Sequence, residues 1–187
     1  MRKLIYSMTA SLDGYISAPR GEHDGWAVPD EELHRFHNDA VRGLGGHLLG
    51  RRLYEVMTYW EGFEEREPDA PQYAHEFARI WQKLPKIVYS TTLTEVEGNT
   101  TLSTADPVTE VTRLKQEPGE PLAVGGADLA ATLIRHDLID EYRVFLAPTA
   151  LGGGKPYFTA LDRQIALELQ EARTFDTGVV YLRYAAR

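Results

Sequence analysis

The chain has 187 residues, 43% hydrophobic and 26% charged, an ordinary balance for a globular protein with room for a core. Its formal net charge of −8 argues against non-specific nucleic-acid binding, which lives on basic surface, and means that an anionic ligand would need locally placed arginines. With no cysteine, disulfides, thiolate catalysis and iron–sulfur clusters are excluded. No segment approaches a membrane span, and the apolar run in MRKLIYSMTASLDGY is too short for a signal peptide. A cytoplasmic protein is expected. No linker or repeat divides the chain, so residues 1–187 read as one domain.

In chain order, residues 4–8 form a short apolar run that predicts a buried strand, followed by the turn-type cluster SLDGY. A helix is predicted next. Pro29 suits its first turn, Asp30, Glu31 and Glu32 favour the positive end of its dipole, and Leu33, Phe36, Ala40, Val41 and Leu44 recur at helical spacing. Residues 47–49 predict a second strand, Gly50 punctuates it, and residues 51–57 open another short helix. Residues 61–71 read as an acidic loop. A helical stripe of Tyr73, Phe77, Ile80, Trp81 and Leu84 then stops at Pro85. KIVYS predicts a third strand, 100–103 a fourth, and Asp106-Pro107 the cap and first position of a further helix.

Residues 121–142 carry a buried strand, a paired glycine at Gly125 and Gly126, a helix from about Asp128, and a turn feeding the next strand. A double glycine lets a backbone or a ligand approach closely and permits positive φ, and the helix start behind it presents unpaired N–H groups suited to phosphate. This stretch is either a dinucleotide cradle or a tight strand-to-helix turn. Two extended runs, 166–173 and 179–184, joined at Asp176-Thr177-Gly178, predict a closing hairpin. Strands alternating with helices imply an α/β fold with a mainly parallel sheet and an antiparallel C-terminal edge, with ligands beyond the carboxyl ends of the strands. Three such ends carry phosphate-friendly residues: Gly50-Arg51-Arg52, Ser90-Thr91-Thr92 and Gly125-Gly126.

Other chemistries find less support. His34 and His37, with Asp39 near and His23 upstream, raise a metal site, but no further ligand motif accompanies them and no metal is expected. There is no G-x-S-x-G elbow, and GGGKP lacks the spacing of a P-loop.

Taken together, SLDGYI, GRRLYE, LPKIVYSTTL, LAVGGADLAATLI and DEYRVFLAP with LGGGKPYF resemble, in order and over essentially the whole chain, the dihydrofolate reductase superfamily. The nearest likeness is to a stand-alone form of the C-terminal reductase domain of the riboflavin-biosynthesis deaminase–reductase. That resemblance implies a three-layer fold, a homodimer, NADPH as cofactor, and reduction of a small pteridine- or pyrimidine-like heterocycle. It implies that Arg51 or Arg52 pairs with the 2′-phosphate beside Ser90, Thr91 and Thr92. Gly50 with Leu53, and Gly125, Gly126, Ala127 and Leu129, would hold the pyrophosphate. For catalysis the expected residues are Asp13, after the first strand, and Glu31, or Asp30 beside it, where folate-reducing members carry an acid; first-turn acids also serve the helix dipole. Residues 21–28 lack the apolar pattern of a folate pocket, and a phosphorylated aminopyrimidine would need a second basic site, for which Lys155 is the candidate. The alternative is a homologue that binds a nucleotide or other ligand without turnover.

Overall fold

A computed structural model describes residues 1–19, 25–26, 28–159 and 161–187. His23 and most of the loop before the first helix lie outside the described residues. The core is an eight-stranded sheet ordered β5-β4-β3-β6-β1-β7-β10-β9. Its strands are β1 (Leu4–Ser11), β3 (Gly46–Gly50), β4 (Lys86–Tyr89), β5 (Thr100–Ser103), β6 (Leu122–Gly125), β7 (Glu141–Ala147), β9 (Leu167–Thr174) and β10 (Val180–Ala186). The six strands from β5 to β7 run parallel, and β10 and β9 close the sheet antiparallel, as the hairpin signal predicts. Two short strands absent from the sequence reading, β2 (Tyr15–Ser17) and β8 (Lys155–Pro156), pair antiparallel and tie the first turn to the glycine-rich loop. Each is too short to show a period.

The helices cover both faces. On one, α5 (Pro107–Gln116) and α6 (Ala127–Arg135) pack Val111, Leu114, Ala130, Leu133 and Ile134 against Leu4, Tyr6, Leu122 and Val124. On the other, α4 (Gln72–Lys83) brings Phe77 and Trp81 against Leu49 and Val88, with Tyr54 of α2 (Arg51–Met57). α1 (Glu31–Arg42) lies beside α4. Its cap is Asp30, whose carboxylate accepts from the Leu33 amide at 2.9 Å, so Pro29 precedes the cap rather than entering the first turn. The acidic loop contains a turn of helix, α3 (Phe63–Arg66), entered through Gly62 at φ 62° and anchored by buried Phe63. Among the described residues no helix is long and apolar enough to cross a membrane.

On β1, period 2 sends Leu4 and Tyr6 into the α5/α6 core, while Ile5, Ser7 and Thr9 face the α1/α4 side. Small and polar residues there leave space between sheet and helices. That space is part of the site.

Candidate active site

Two concavities lie along the carboxyl ends of the parallel strands, and a third lies between one face of the sheet and its helices. The largest is an open groove of about 1050 Å³ walled by Gly50–Leu53 on one side and Gly126–Leu129 on the other, with Met8 and Ile16 at one end. Arg51 and Tyr89 also border a basin of about 460 Å³ lined by Ser90, Thr91 and Thr92. Met8 and Leu53 also line an apolar cavity of about 280 Å³ between the sheet and α1, α2 and α4. The three lie side by side, from a polar basin to an apolar chamber.

The groove is built from backbone. β3 and β6 are neighbours, with Leu49 opposite Gly125, so the turns that leave them lie side by side. α6 starts at Gly126, whose φ of 94° only glycine adopts without strain, and no side chain caps its first amides. A Cβ built on Gly126 would come no closer than 3.7 Å to the Gly50 amide, so the positive φ rather than space demands glycine. Gly125 does something else. Its φ is not positive, it is buried, and a Cβ there would collide with the Leu53 side chain and reach 3.2 Å from His47 Nε2. It therefore packs under the wall between groove and cavity and does not line the groove. Ala127 and Leu129 lie within the groove lining while anchoring α6 in the core.

Charge in the groove is mixed. Arg51, Arg52 and Lys155 face Glu55 and Asp128. Arg51 reaches Thr92 Oγ1 at 3.3 Å and Glu55 at 3.7 Å, a half-exposed pair that an incoming anion can replace at little cost. Lys155 pairs with Asp128, so its charge offsets the carboxylate in the first turn of α6. Ser90 Oγ accepts from the amides of Thr92 at 3.2 Å and Leu93 at 3.1 Å, which folds the basin's rim into a turn, and it also contacts Thr92 Oγ1 at 3.3 Å. The groove thus offers uncapped amides, two arginines and a hydroxyl-lined basin, the donor set a dinucleotide with an extra phosphate requires.

The cavity is built from side chains. His34, His37, Val41 and Leu44 on one stripe of α1, Leu53 and Met57 of α2, and Phe77 and Trp81 of α4 close over Ile5, Ser7 and Thr9 of the sheet. The α1 histidines that raised a metal site face this chamber, and among the described residues no cluster of metal-ligating side chains forms. Burial holds all three cavity histidines neutral near pH 7. His37 is pushed down to about 4, packed at 4.2 Å on Phe145; His47 is also pushed down to about 4, with the Lys86 charge adding to burial. His34 is lowered by burial too, although its bond to Asn38 opposes the shift. Because Asn38 Nδ2 donates to the Tyr73 carbonyl at 2.9 Å, its Oδ1 is the acceptor for His34 Nδ1 at 3.1 Å.

The expected catalytic acids stand elsewhere. Asp13 accepts from Ser11 Oγ at 2.6 Å and from the amides of Leu151 and Gly152 at 3.0 and 2.7 Å, and these bonds hold its carboxyl down to about 2. It latches the first turn to the glycine-rich loop and holds no proton to give at neutral pH. Glu31 is exposed, pairs with Arg35 at 2.8 Å, and lines none of the three concavities. Its place in the first turn of α1 serves the helix dipole. Met8, Tyr89, Asp128 and the three cavity histidines were not among the expected site residues. Only the spacing of His34 and His37 with Val41 and Leu44 hinted at them.

The model of the RibD C-terminal domain family matches residues 2–181. The uncharacterized protein YyaP of Bacillus subtilis is 30% identical over 184 residues, covering 98% of this chain and 94% of that one. Among solved structures, the "putative riboflavin biosynthesis protein" from Shewanella sp. PV-4 superposes with a TM-score of 0.76 at 24% identity, covering 100% of this chain and 99% of that chain. A Thermotoga maritima diaminohydroxyphosphoribosylaminopyrimidine deaminase/5-amino-6-(5-phosphoribosylamino)uracil reductase superposes with a TM-score of 0.66 at 14% identity, the match covering 100% of this chain and 57% of that one. The fold is the dihydrofolate reductase-like one expected, and the chain belongs to the RibD C-terminal domain family.

Proposed function

We propose that this protein is an NADPH-dependent reductase of a small pteridine- or pyrimidine-like heterocycle. The observation that carries the reading is the adjacency of the three concavities. A groove of uncapped helix amides shares Arg51 and Tyr89 with a hydroxyl-lined basin and Met8 and Leu53 with an apolar chamber. Arg51 and Arg52, with Ser90, Thr91 and Thr92, would hold the 2′-phosphate, and Gly50, Gly126, Ala127 and Leu129 would let the pyrophosphate approach the start of α6. NADPH, when bound, supplies the hydride. The protein's share is positional: Met8 and Leu53 stand on the wall common to groove and chamber, and the apolar lining excludes water from the place where the substrate ring would sit. Neither Asp13 nor Glu31 enters this chemistry. Pairing into a homodimer is part of the same reading and is checked by light scattering on the purified protein.

The test is a thermal-shift comparison of NADPH and NADH, followed by absorbance traces with candidate heterocycles. A ligand that binds only the native state raises the melting temperature by mass action. A clear shift with NADPH, a small one with NADH, and substrate-dependent loss of the reduced-nicotinamide band are expected. A shift without turnover would favour a nucleotide-binding homologue; no shift with either cofactor would overturn the reading.

A further inference from the structure

Among the described residues lining the chamber, only His47 has polar side-chain atoms that are shielded and yet unpartnered. It projects from β3 toward the α1/α4 face, edge-on to Trp81 at 5.5 Å, and neither ring nitrogen has a hydrogen-bond partner although both are shielded from water. A buried imidazole with both nitrogens unpaired is costly, and such groups persist where something else needs them. A half-turn about χ2 exchanges nitrogen and carbon positions within the same outline, so either edge of the ring can be presented to the chamber.

The rest of the lining says what would meet it. Trp60, Trp81, Phe77 and Phe145 supply flat aromatic faces, and Met8, Leu53 and Met57 supply apolar bulk. The one arginine in the lining, Arg143, is held by buried Glu141 at 2.6 Å. Lys86, next to His47, spends its ammonium on the Trp81 and Leu84 carbonyls at 2.7 and 3.2 Å and on Glu61 at 3.3 Å. Among the described residues the chamber therefore offers no cation without a carboxylate beside it, although Glu141 serves Lys3 and Arg183 besides Arg143. A phosphate dianion would be desolvated there without a counter-charge, which is prohibitive. A volume of about 280 Å³ also lies at the lower end of ligand pockets, room for a fused ring and little more.

We propose that this chamber takes a neutral, planar nitrogen heterocycle carrying no phosphate, and that His47 reads its hydrogen-bonding edge. The nitrogen that faces the chamber is a donor or an acceptor according to tautomer, so it can pair with either the carbonyl or the N–H of a cyclic amide. The assignment departs from the phosphorylated aminopyrimidine named for the Thermotoga maritima enzyme. It rests on the reductase reading for its chemistry, and on the chamber alone for binding.

Trp60 and Trp81 line the chamber, so quenching of intrinsic fluorescence reports its occupancy. Four probes are titrated: pterin, which has a cyclic-amide edge; naphthalene, of similar size without one; and 5-amino-6-ribitylaminouracil with and without its 5′-phosphate. We expect pterin to saturate the signal, and the phosphorylated uracil to bind at least about 10-fold more weakly than its unphosphorylated partner. In His47→Leu, pterin should weaken about 10-fold while naphthalene stays within about 2-fold, and His47→Gln, which keeps a donor and an acceptor, should recover most of the loss. Removing an unsatisfied buried polar group should also leave His47→Leu melting no lower than the parent protein, so a binding loss cannot be assigned to unfolding. Tighter binding of the phosphorylated compound, absence of pterin quenching, or an equal effect of His47→Leu on pterin and naphthalene would each overturn the proposal. NADPH binding is followed separately by melting temperature: its failure with pterin binding intact would sink the reductase reading alone, and the reverse would sink this one alone.

Discussion

The groove and the chamber share Met8 and Leu53 yet are made by opposite means. The groove is a product of backbone: two strand-to-helix turns brought side by side by the β3–β6 pairing, with glycine at each helix cap and charges on flexible, half-exposed side chains. The chamber is a product of side chains from both layers, buried enough to keep three histidines neutral. A backbone site selects ligands by shape and charge that many dinucleotides share. A side-chain site selects by the few polar atoms left inside an apolar wall. Substrate identity should therefore drift in the chamber while cofactor use stays with the groove.

The strongest challenge to that division is Gly125, beneath the wall between the two. Gly125→Val would drive a branched side chain into Leu53 and His47, costing about 3 kcal/mol and collapsing both functions together, as read by denaturant unfolding and by NADPH and pterin binding. Loss of NADPH binding alone, in a protein as stable as the parent, would show that the glycine serves the groove only. Next in size is the groove's own charge. Arg51→Ala combined with Arg52→Ala should weaken NADPH by about 30- to 100-fold, two charge-assisted contacts, while NADH and pterin change by less than about 3-fold. Equal weakening of the two cofactors would remove the arginines from the 2′-phosphate.

Acid should separate the regions in the other direction. His37 and His47 titrate near 4 in the folded chain and near 6.5 when unfolded, so the unfolded chain binds more protons between those values. Their contribution is intact above about pH 6.5 and is lost as pH falls toward 4, on the order of 2 kcal/mol each. Urea titrations from pH 7 to 4 should show that loss, and His47→Leu should remove roughly half of it. An unchanged slope would mean that His47 is hydrated. Smallest of all is Asp13→Asn. It weakens a latch at the surface, so the glycine-rich loop should become easier to cleave by protease while NADPH and pterin affinities hold. A large loss of turnover from that change would return Asp13 to the chemistry.

Much of the groove was legible in advance because its signals are local. Gly50-Arg51-Arg52 and Gly126-Ala127 each sit at a strand-to-helix junction that period, caps and glycine placement reveal within about ten residues. Gly125 was legible as a glycine but not in its role, since what forbids a side chain there is Leu53, 72 positions earlier in the chain. The placement of the two acids was hidden for a related reason. Glu31 is where helix electrostatics place an acid whether or not a substrate is near, and Asp13's partners at Leu151 and Gly152 are distant in sequence.

The order of strands and helices, the closing hairpin, the cap at Asp106 and the phosphate-suited turns were therefore determined by the amino-acid sequence itself, because each depends on neighbours within one element. The insertion of β6 between β3 and β1, the empty space over Ser7 and Thr9, and the burial that leaves His47 neutral and unpaired were decided only by the tertiary structure. Those features depend on which distant surfaces meet, and on the low dielectric that their meeting creates.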